Sequence, residues 1–276
     1  LEKLEVEIYQ TEDKYYRVRP LPTKQELRKL YTDKYYQDNH SNYKEEYEEK
    51  RRNTFIYKVK QRIVLFRIMF GQQPGNMLDV GCGEGWALKT FHENGWKVTG
   101  LDYTDYACRQ HNPDMTDNII LGDSYETMEA IKTKYQIIHL DNILEHVIDP
   151  LYLLQLCRKR LRPDGVLIIE VPLENSIFHQ YLLKHCLIKT VFEYKYPEHL
   201  SMFNLEGLRG ITKRAGFKEQ FIGDFSPTRL TLSQDRFVVL ENFLFTLPLE
   251  LSMRYFTLST ELGFGTEMMG FFTREE

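Results

Sequence analysis

The sequence is poor in the features that mark specialised scaffolds. Its four cysteines, Cys82, Cys108, Cys157 and Cys186, lie far apart with no CxxC pair, so their spacing gives neither a zinc knuckle nor a disulfide framework. A reducing cytoplasm is the expected compartment. There is no uninterrupted apolar run of about 20 residues. The greasiest stretch, Phe237 to Met253, is broken by Glu241, Asn242, Pro248 and Glu250, and no membrane span is expected. Residues 1 to 20 are charged and tyrosine-rich rather than apolar, so no signal peptide is read there. Neither sign of charge dominates: 36 Lys and Arg against 40 Asp and Glu leave a formal net charge of −4. Without a global positive field to hold a phosphate backbone, nucleic acid is not an expected partner. No internal repeat or low-complexity tract is present, which excludes solenoids and disordered arrays.

What remains is a chain of 276 residues with 42% hydrophobic and 13% aromatic side chains, enough to bury a full core at this length. Half of the 18 tyrosines fall within the first 57 residues, among dense charge. Residues 1 to 70 read as a mostly helical N-terminal cap, with helical spacing clearest over Tyr43 to Arg67. From Met77 the texture changes to short apolar runs alternating with amphipathic stretches of helical length, the pattern of a parallel α/β sheet. The expected strands are Met77 to Val80, Lys97 to Leu101, Asn118 to Leu121, Gln136 to Asp141 and Val166 to Val171, apolar enough to be covered on both faces. Asn94-Gly95 should stop a helix over Gly85 to Glu93, and Asp149-Pro150 should start one that runs to about Leu161 and turns through Pro163-Asp164-Gly165. Asn204 should cap a helix ending near Gly216. Residues 71 to 276 form the main domain, with a substrate-side insertion at 173 to 202 and a helical insertion at 226 to 266 before a last strand over Glu267 to Thr273. Phe217 to Phe225 is a further strand-like run.

After the first strand the chain reads Leu78-Asp79-Val80-Gly81-Cys82-Gly83-Glu84-Gly85-Trp86. Glycines at such a turn allow close backbone approach and positive φ, and the following helix N-terminus offers unpaired N–H groups. A dinucleotide fingerprint, GxGxxG, would need glycine where this chain has Trp86. Leu101-Asp102 ends the second strand, where a carboxylate can accept from both hydroxyls of a ribose. Gly122-Asp123 closes the third strand, where a carboxylate can accept from an exocyclic amine. The fourth strand runs into Asp141-Asn142-Ile143-Leu144-Glu145-His146.

This set resembles the class I S-adenosylmethionine-dependent methyltransferases over roughly residues 70 to 220. The resemblance implies a Rossmann-like α/β fold with a seven-stranded, mostly parallel sheet, an antiparallel last strand and helices on both faces. The cofactor would lie over the carboxyl ends of the strands. It implies S-adenosyl-L-methionine as methyl donor, with S-adenosyl-L-homocysteine as product. Asp79, Gly81, Cys82, Gly83, Asp102, Tyr103, Asp123, Ser124, Asp141 and Asn142 would bind it. Within the superfamily the chain is similar to bacterial small-molecule O-methyltransferases, including those of surface-glycan biosynthesis. The Tyr35-Tyr36-Gln37 to Tyr43 segment and Pro197-Glu198-His199-Leu200-Ser201-x-Phe203-Asn204 feed that narrower likeness, with Tyr36, Tyr43 and His199 expected to touch the acceptor.

Methyl transfer from a sulfonium needs alignment and exclusion of water, and no metal or covalent intermediate. Transfer to a hydroxyl needs a base, for which His146 is the first candidate and His199 the second. The plainer readings are that His146 braces its loop through Glu145 or a backbone carbonyl, that His199 packs as a pocket wall, that Asp141 is an N-cap and that Cys82 is a small apolar residue. The basic run Arg158-Lys159-Arg160-x-Arg162 reads as a solvated face. A small-molecule acceptor is the expected partner, a homo-oligomer is compatible with the apolar 226 to 266 segment, and RNA is the rival substrate. A nicotinamide-dependent oxidoreductase and a non-catalytic cofactor-binding protein are the alternatives.

Overall fold

The computed structural model describes residues 6–34, 49–174, 184, 196–223 and 267–275. They divide into two compact units, one of residues 22–141 and 152–167, the other of residues 1–21, 142–151 and 168–276.

In the first unit, helices α1 (Lys24–Lys29) and α2 (Glu49–Phe70) precede strand β3 (Asn76–Val80). Thr23 and Glu26 form a reciprocal capping box at the start of α1. The chain then alternates as expected through α3 (Trp86–Glu93), β4 (Lys97–Asp102), α4 (Tyr106–His111), β5 (Ile119–Leu121), α5 (Ser124–Ala130), β6 (Tyr135–Asp141) and α6 (Pro150–Arg160). Asn94 and Gly95 do end α3, with Gly95 at φ +88°. Parallel pairing joins β3 to β4 and β6, and β4 to β5. Six consecutive buried residues, Tyr135 to Leu140, show that β6 is covered on both faces.

The other unit opens on a hairpin, β1 (Glu7–Gln10) antiparallel to β2 (Tyr16–Arg19). Within the stretch read as a mostly helical cap, these two strands were not expected. Period-two alternation wins here: Val18 is buried between Arg17 and Arg19, and Arg19 grips its cross-strand partner Glu7 with two nitrogens. The short β8 (Ser201–Met202) adds to β2 and completes a three-stranded sheet. Asn204 caps α7 (Leu205–Arg214) by accepting from the Gly207 N–H, and Gly216 turns the chain at φ +80° into β9 (Phe217–Gly223). β10 (Glu267–Arg274) pairs antiparallel with β9, bulged between Phe271 and Phe272.

β7 is Leu161–Pro172, and the main sheet has the order β5-β4-β3-β6-β7-β10-β9. That is the expected seven-stranded, mostly parallel Rossmann-like architecture with an antiparallel end. One boundary differs. Pro163-Asp164-Gly165 is not a separate turn but part of β7, and Arg162 Nε meets Asp164 Oδ1 at 3.0 Å, as same-side residues of an extended chain do. Among the described residues, no helix is long and apolar enough to cross a membrane.

Candidate active site

At the carboxyl end of β3, Gly81, Gly83 and Gly85 all adopt positive φ, at +72°, +49° and +78°. L side chains resist this region, so the GxGxG spacing is a conformational requirement. The N–H groups of Gly81 and Cys82 both donate to the Leu101 carbonyl, at 2.7 and 3.2 Å, and the Gly83 N–H donates to Asp102 Oδ2 at 2.9 Å. A Cβ on Gly85 would sit 2.7 Å from Cys108 Sγ. The turn is therefore clamped to the end of β4.

Burial pushes the Asp102 carboxyl up to about 6, against the pull of the N–H donors from Gly83 and Thr104. Desolvation, with Asp102 and Asp79 adding repulsion, drives the Cys82 thiol well above its ordinary value, which suits the reading of Cys82 as a packed small residue. Tyr103 donates its hydroxyl to Asp123 Oδ2 at 2.7 Å, while Asp123 Oδ1 accepts from the N–H groups of Tyr125 and Glu126 and so caps α5, whose first residue is Ser124. Burial, then Asp123, holds the Tyr103 phenol neutral, well above its usual range. Tyr31 stacks parallel on Tyr103 at 6.1 Å. Thus Gly81, Cys82, Gly83, Asp102, Tyr103, Asp123 and Ser124 cluster at the strand ends of one unit.

Asp79 and Asp141 belong to a buried chain of charges that the sequence did not disclose. Asp79 Oδ1 lies 2.7 Å from His139 Nδ1, and Arg62 Nη1 lies 2.7 Å from His139 Nε2 and 2.5 Å from Asp141 Oδ2. Arginine only donates, so Nε2 accepts and the His139 proton sits on Nδ1, directed at Asp79. Arg62 is fully buried. It projects from α2 within the apolar stripe of Val59, Ile63 and Phe66. A charged residue in such a stripe, and a histidine inside Ile137-Ile138-His139-Leu140, were the signals available.

The other unit holds the two histidine candidates together. Asn142 takes φ +51°, a conformation asparagine tolerates, with its N–H on the Glu170 carbonyl at 2.9 Å. His146 Nδ1 lies 2.8 Å from the Glu198 carbonyl, which only accepts, so this nitrogen carries a proton. That Nε2 lies 3.8 Å from Glu145 Oε1, and the rings of His146 and His199 meet edge to face at 4.8 Å. The Glu145 carbonyl accepts from Leu200 and Ser201 N–H, at 2.8 and 3.0 Å. Glu145 and His199 are buried, and His146 is partly exposed. The bracing role read for His146 is therefore present, and its second nitrogen is directed at the cluster. Tyr36, Tyr43, the 226 to 266 segment and most of 173 to 202 lie outside the described residues.

A family model described as "Methyltransferase domain" matches residues 47–219, more than half of the chain. The ubiquinone biosynthesis O-methyltransferase of Haemophilus ducreyi is 31% identical over 126 residues, which are 42% of this chain and 50% of the relative. Its counterpart in Actinobacillus pleuropneumoniae serotype 7 is 34% identical over 108 residues, 36% of this chain and 45% of the relative. The chain thus spans about half the length of these curated relatives. Among solved structures, a SAM-dependent methyltransferase from Archaeoglobus fulgidus aligns with TM-score 0.56 and 18% identity, covering 81% of this chain and 94% of its own. The O-methyltransferase of a trans-AT PKS multienzyme from Brevibacillus brevis, solved with S-adenosyl-L-homocysteine, aligns with TM-score 0.54 and 18% identity, covering 84% and 77%. These likenesses show the same fold.

Proposed function

Because the chain belongs to the methyltransferase-domain family, we propose that it transfers a methyl group from S-adenosylmethionine to an oxygen of a small acceptor. The observation that carries this reading is the crest of three left-handed glycines clamped against the buried Asp102 carboxylate. When bound, the cofactor supplies a methyl group on a sulfonium, already activated for displacement. Gly81, Cys82 and Gly83 bring backbone close to it, Asp102 accepts from its ribose hydroxyls, and Asp123 with Ser124 receives the base. Asp79, Asp141 and Asn142 complete the binding set, with Asp79 and Asp141 held in place by His139 and Arg62. The acceptor hydroxyl loses its proton at the Glu145–His146–His199 cluster, where the His146 Nε2 lone pair receives it.

The acceptor oxygen is supported by the names of the curated relatives, which are O-methyltransferases of ubiquinone biosynthesis. The narrower acceptor read from the sequence is a sugar, sugar nucleotide or other surface-glycan precursor. The relatives named above do not support it. Sugars and ubiquinone precursors are therefore the two arms of an acceptor screen.

The deciding experiment is calorimetric titration with S-adenosylhomocysteine beside NADH and NADPH. Saturable binding of the first alone is expected, and binding of only a nicotinamide cofactor would overturn the proposal. Asp102→Asn should weaken S-adenosylhomocysteine about 100-fold or more, since two hydrogen bonds to a charged acceptor are lost at roughly 1.5–3 kcal/mol each. The same affinity should fall in wild type as pH drops through about 6, where Asp102 takes up a proton. Stability moves the opposite way. The folded-state value lies above the usual 3.8, so the unfolded chain ionises first and stability declines as pH rises from about 4 to 6. Asp102→Asn removes that cost, and its loss of binding should come without loss of fold.

A further inference from the structure

We infer that Asn112 is a positioning residue of the donor site: it fixes which way the Glu84–Gly85 peptide faces, and with it the backbone surface that the glycine turn offers a bound cofactor. The inference rests on the proposed function and adds to it a residue that acts only through the turn.

The chain presents Asn112 rigidly. Pro113 follows it, and a residue before proline is kept out of the helical region, so α4 ends and Asn112 takes φ −140° and ψ 64°. Its N–H donates to the Cys108 carbonyl at 2.7 Å, and its carbonyl accepts from the Met115 N–H at 2.9 Å. The side chain has no exposure, and its Nδ2 donates at 2.8 Å to the carbonyl of Glu84, 28 residues earlier in the chain. This is a third hold on the turn. The Leu101 carbonyl and the Asp102 carboxylate take the N–H groups of residues 81 to 83, whereas Asn112 takes a carbonyl from the opposite end.

Glu84 is where such a hold matters. Its neighbours Gly83 and Gly85 adopt φ +49° and +78°, and glycine populates either sign of φ at little cost. The Glu84–Gly85 peptide can therefore rotate with little steric penalty, exchanging the sides of its C=O and N–H. Two bonds oppose that rotation: Asn112 Nδ2 on the carbonyl, and the Gly85 N–H on the Cys82 carbonyl at 2.9 Å. Without the first, the turn divides between two orientations, and only one of them is the shape clamped against Asp102.

A second observation separates this role from plain packing. Asn112 Oδ1 is buried and has no hydrogen-bond partner among the described residues. A buried amide oxygen left unmet is costly to the fold, and an apolar side chain of similar size avoids that cost. What the amide supplies in return is the donor to Glu84.

The test uses the full chain as wild type, Asn112→Leu and Asn112→Ala, each titrated with S-adenosylhomocysteine by calorimetry, unfolded in urea and followed by hydrogen exchange. Both variants are expected to bind with Kd raised about tenfold at unchanged stoichiometry, because one lost buried hydrogen bond lowers the population of the competent turn. Exchange over residues 81 to 86 should quicken, with residues 135 to 141 as the unchanged control. Asn112→Leu, which also removes the unmet oxygen, should be about as stable as wild type. A residue that serves only the fold gives the reverse pattern: lower stability and fewer binding molecules at unchanged Kd, or an Asn112→Leu variant that does not fold, and either result overturns the inference. Equal affinity in wild type and Asn112→Leu overturns it as well and leaves the methyltransferase reading standing. Failure of wild type to bind S-adenosylhomocysteine overturns both.

Discussion

Arg62→Met is expected to lower the free energy of unfolding by about 3–5 kcal/mol, the usual cost of removing one partner from a buried ion pair. Methionine retains most of the stem volume, so little of this loss comes from a cavity. The loss comes from what the guanidinium leaves behind. Asp141, only 10% exposed at its side chain, loses a cation at 2.5 Å, and His139 Nε2 loses its donor at 2.7 Å in a site with no exposure. Urea denaturation of wild type, Arg62→Met, Asp141→Asn and the double variant measures the coupling. The double variant should be more stable than the sum of the single losses predicts, because neutralising both partners removes the stranded charge. Additive losses would show that Arg62 and Asp141 do not act as a pair.

This network also shows where sequence reasoning stops. Strand and helix order from Asn76 to Leu121 could be read because each element carries its own punctuation: an apolar run, a glycine turn, Asn94-Gly95, an N-cap. The glycines at 81, 83 and 85 could be read for the same local reason, since positive φ selects them one residue at a time. Arg62 could not. Its helix precedes the glycine turn, and its partners lie 77 and 79 residues away. Nothing local tells a buried arginine from a solvated one. The hairpin of β1 and β2 was missed because four-residue strands rich in charge resemble a helix surface until their partner is known. The pairing of Glu145 and His146 with His199 is of the long-range kind as well, although both segments were singled out individually.

Replacing His146 by alanine should leave S-adenosylhomocysteine affinity within about twofold of wild type and lower turnover of a hydroxyl acceptor by about 10²–10⁴, the range supplied by a positioned acid–base group. The two effects should separate because every donor-binding residue except Asn142 belongs to the compact unit that does not contain the histidine cluster. They should not separate if His146 serves only as a brace. Its Nδ1–H holds the Glu198 carbonyl, so a purely structural loss would appear as weaker stability and raised KM with kcat preserved. His146→Asn keeps a donor able to reach that carbonyl but offers no imidazole lone pair. Single-turnover kinetics of both variants, with an acceptor found in the screen, would then distinguish the roles. Turnover lost in both, with folding stability restored in His146→Asn, assigns the chemistry to Nε2. Turnover recovered in His146→Asn assigns the residue to holding its loop, and the proton must then leave by another group, with His199 next in line.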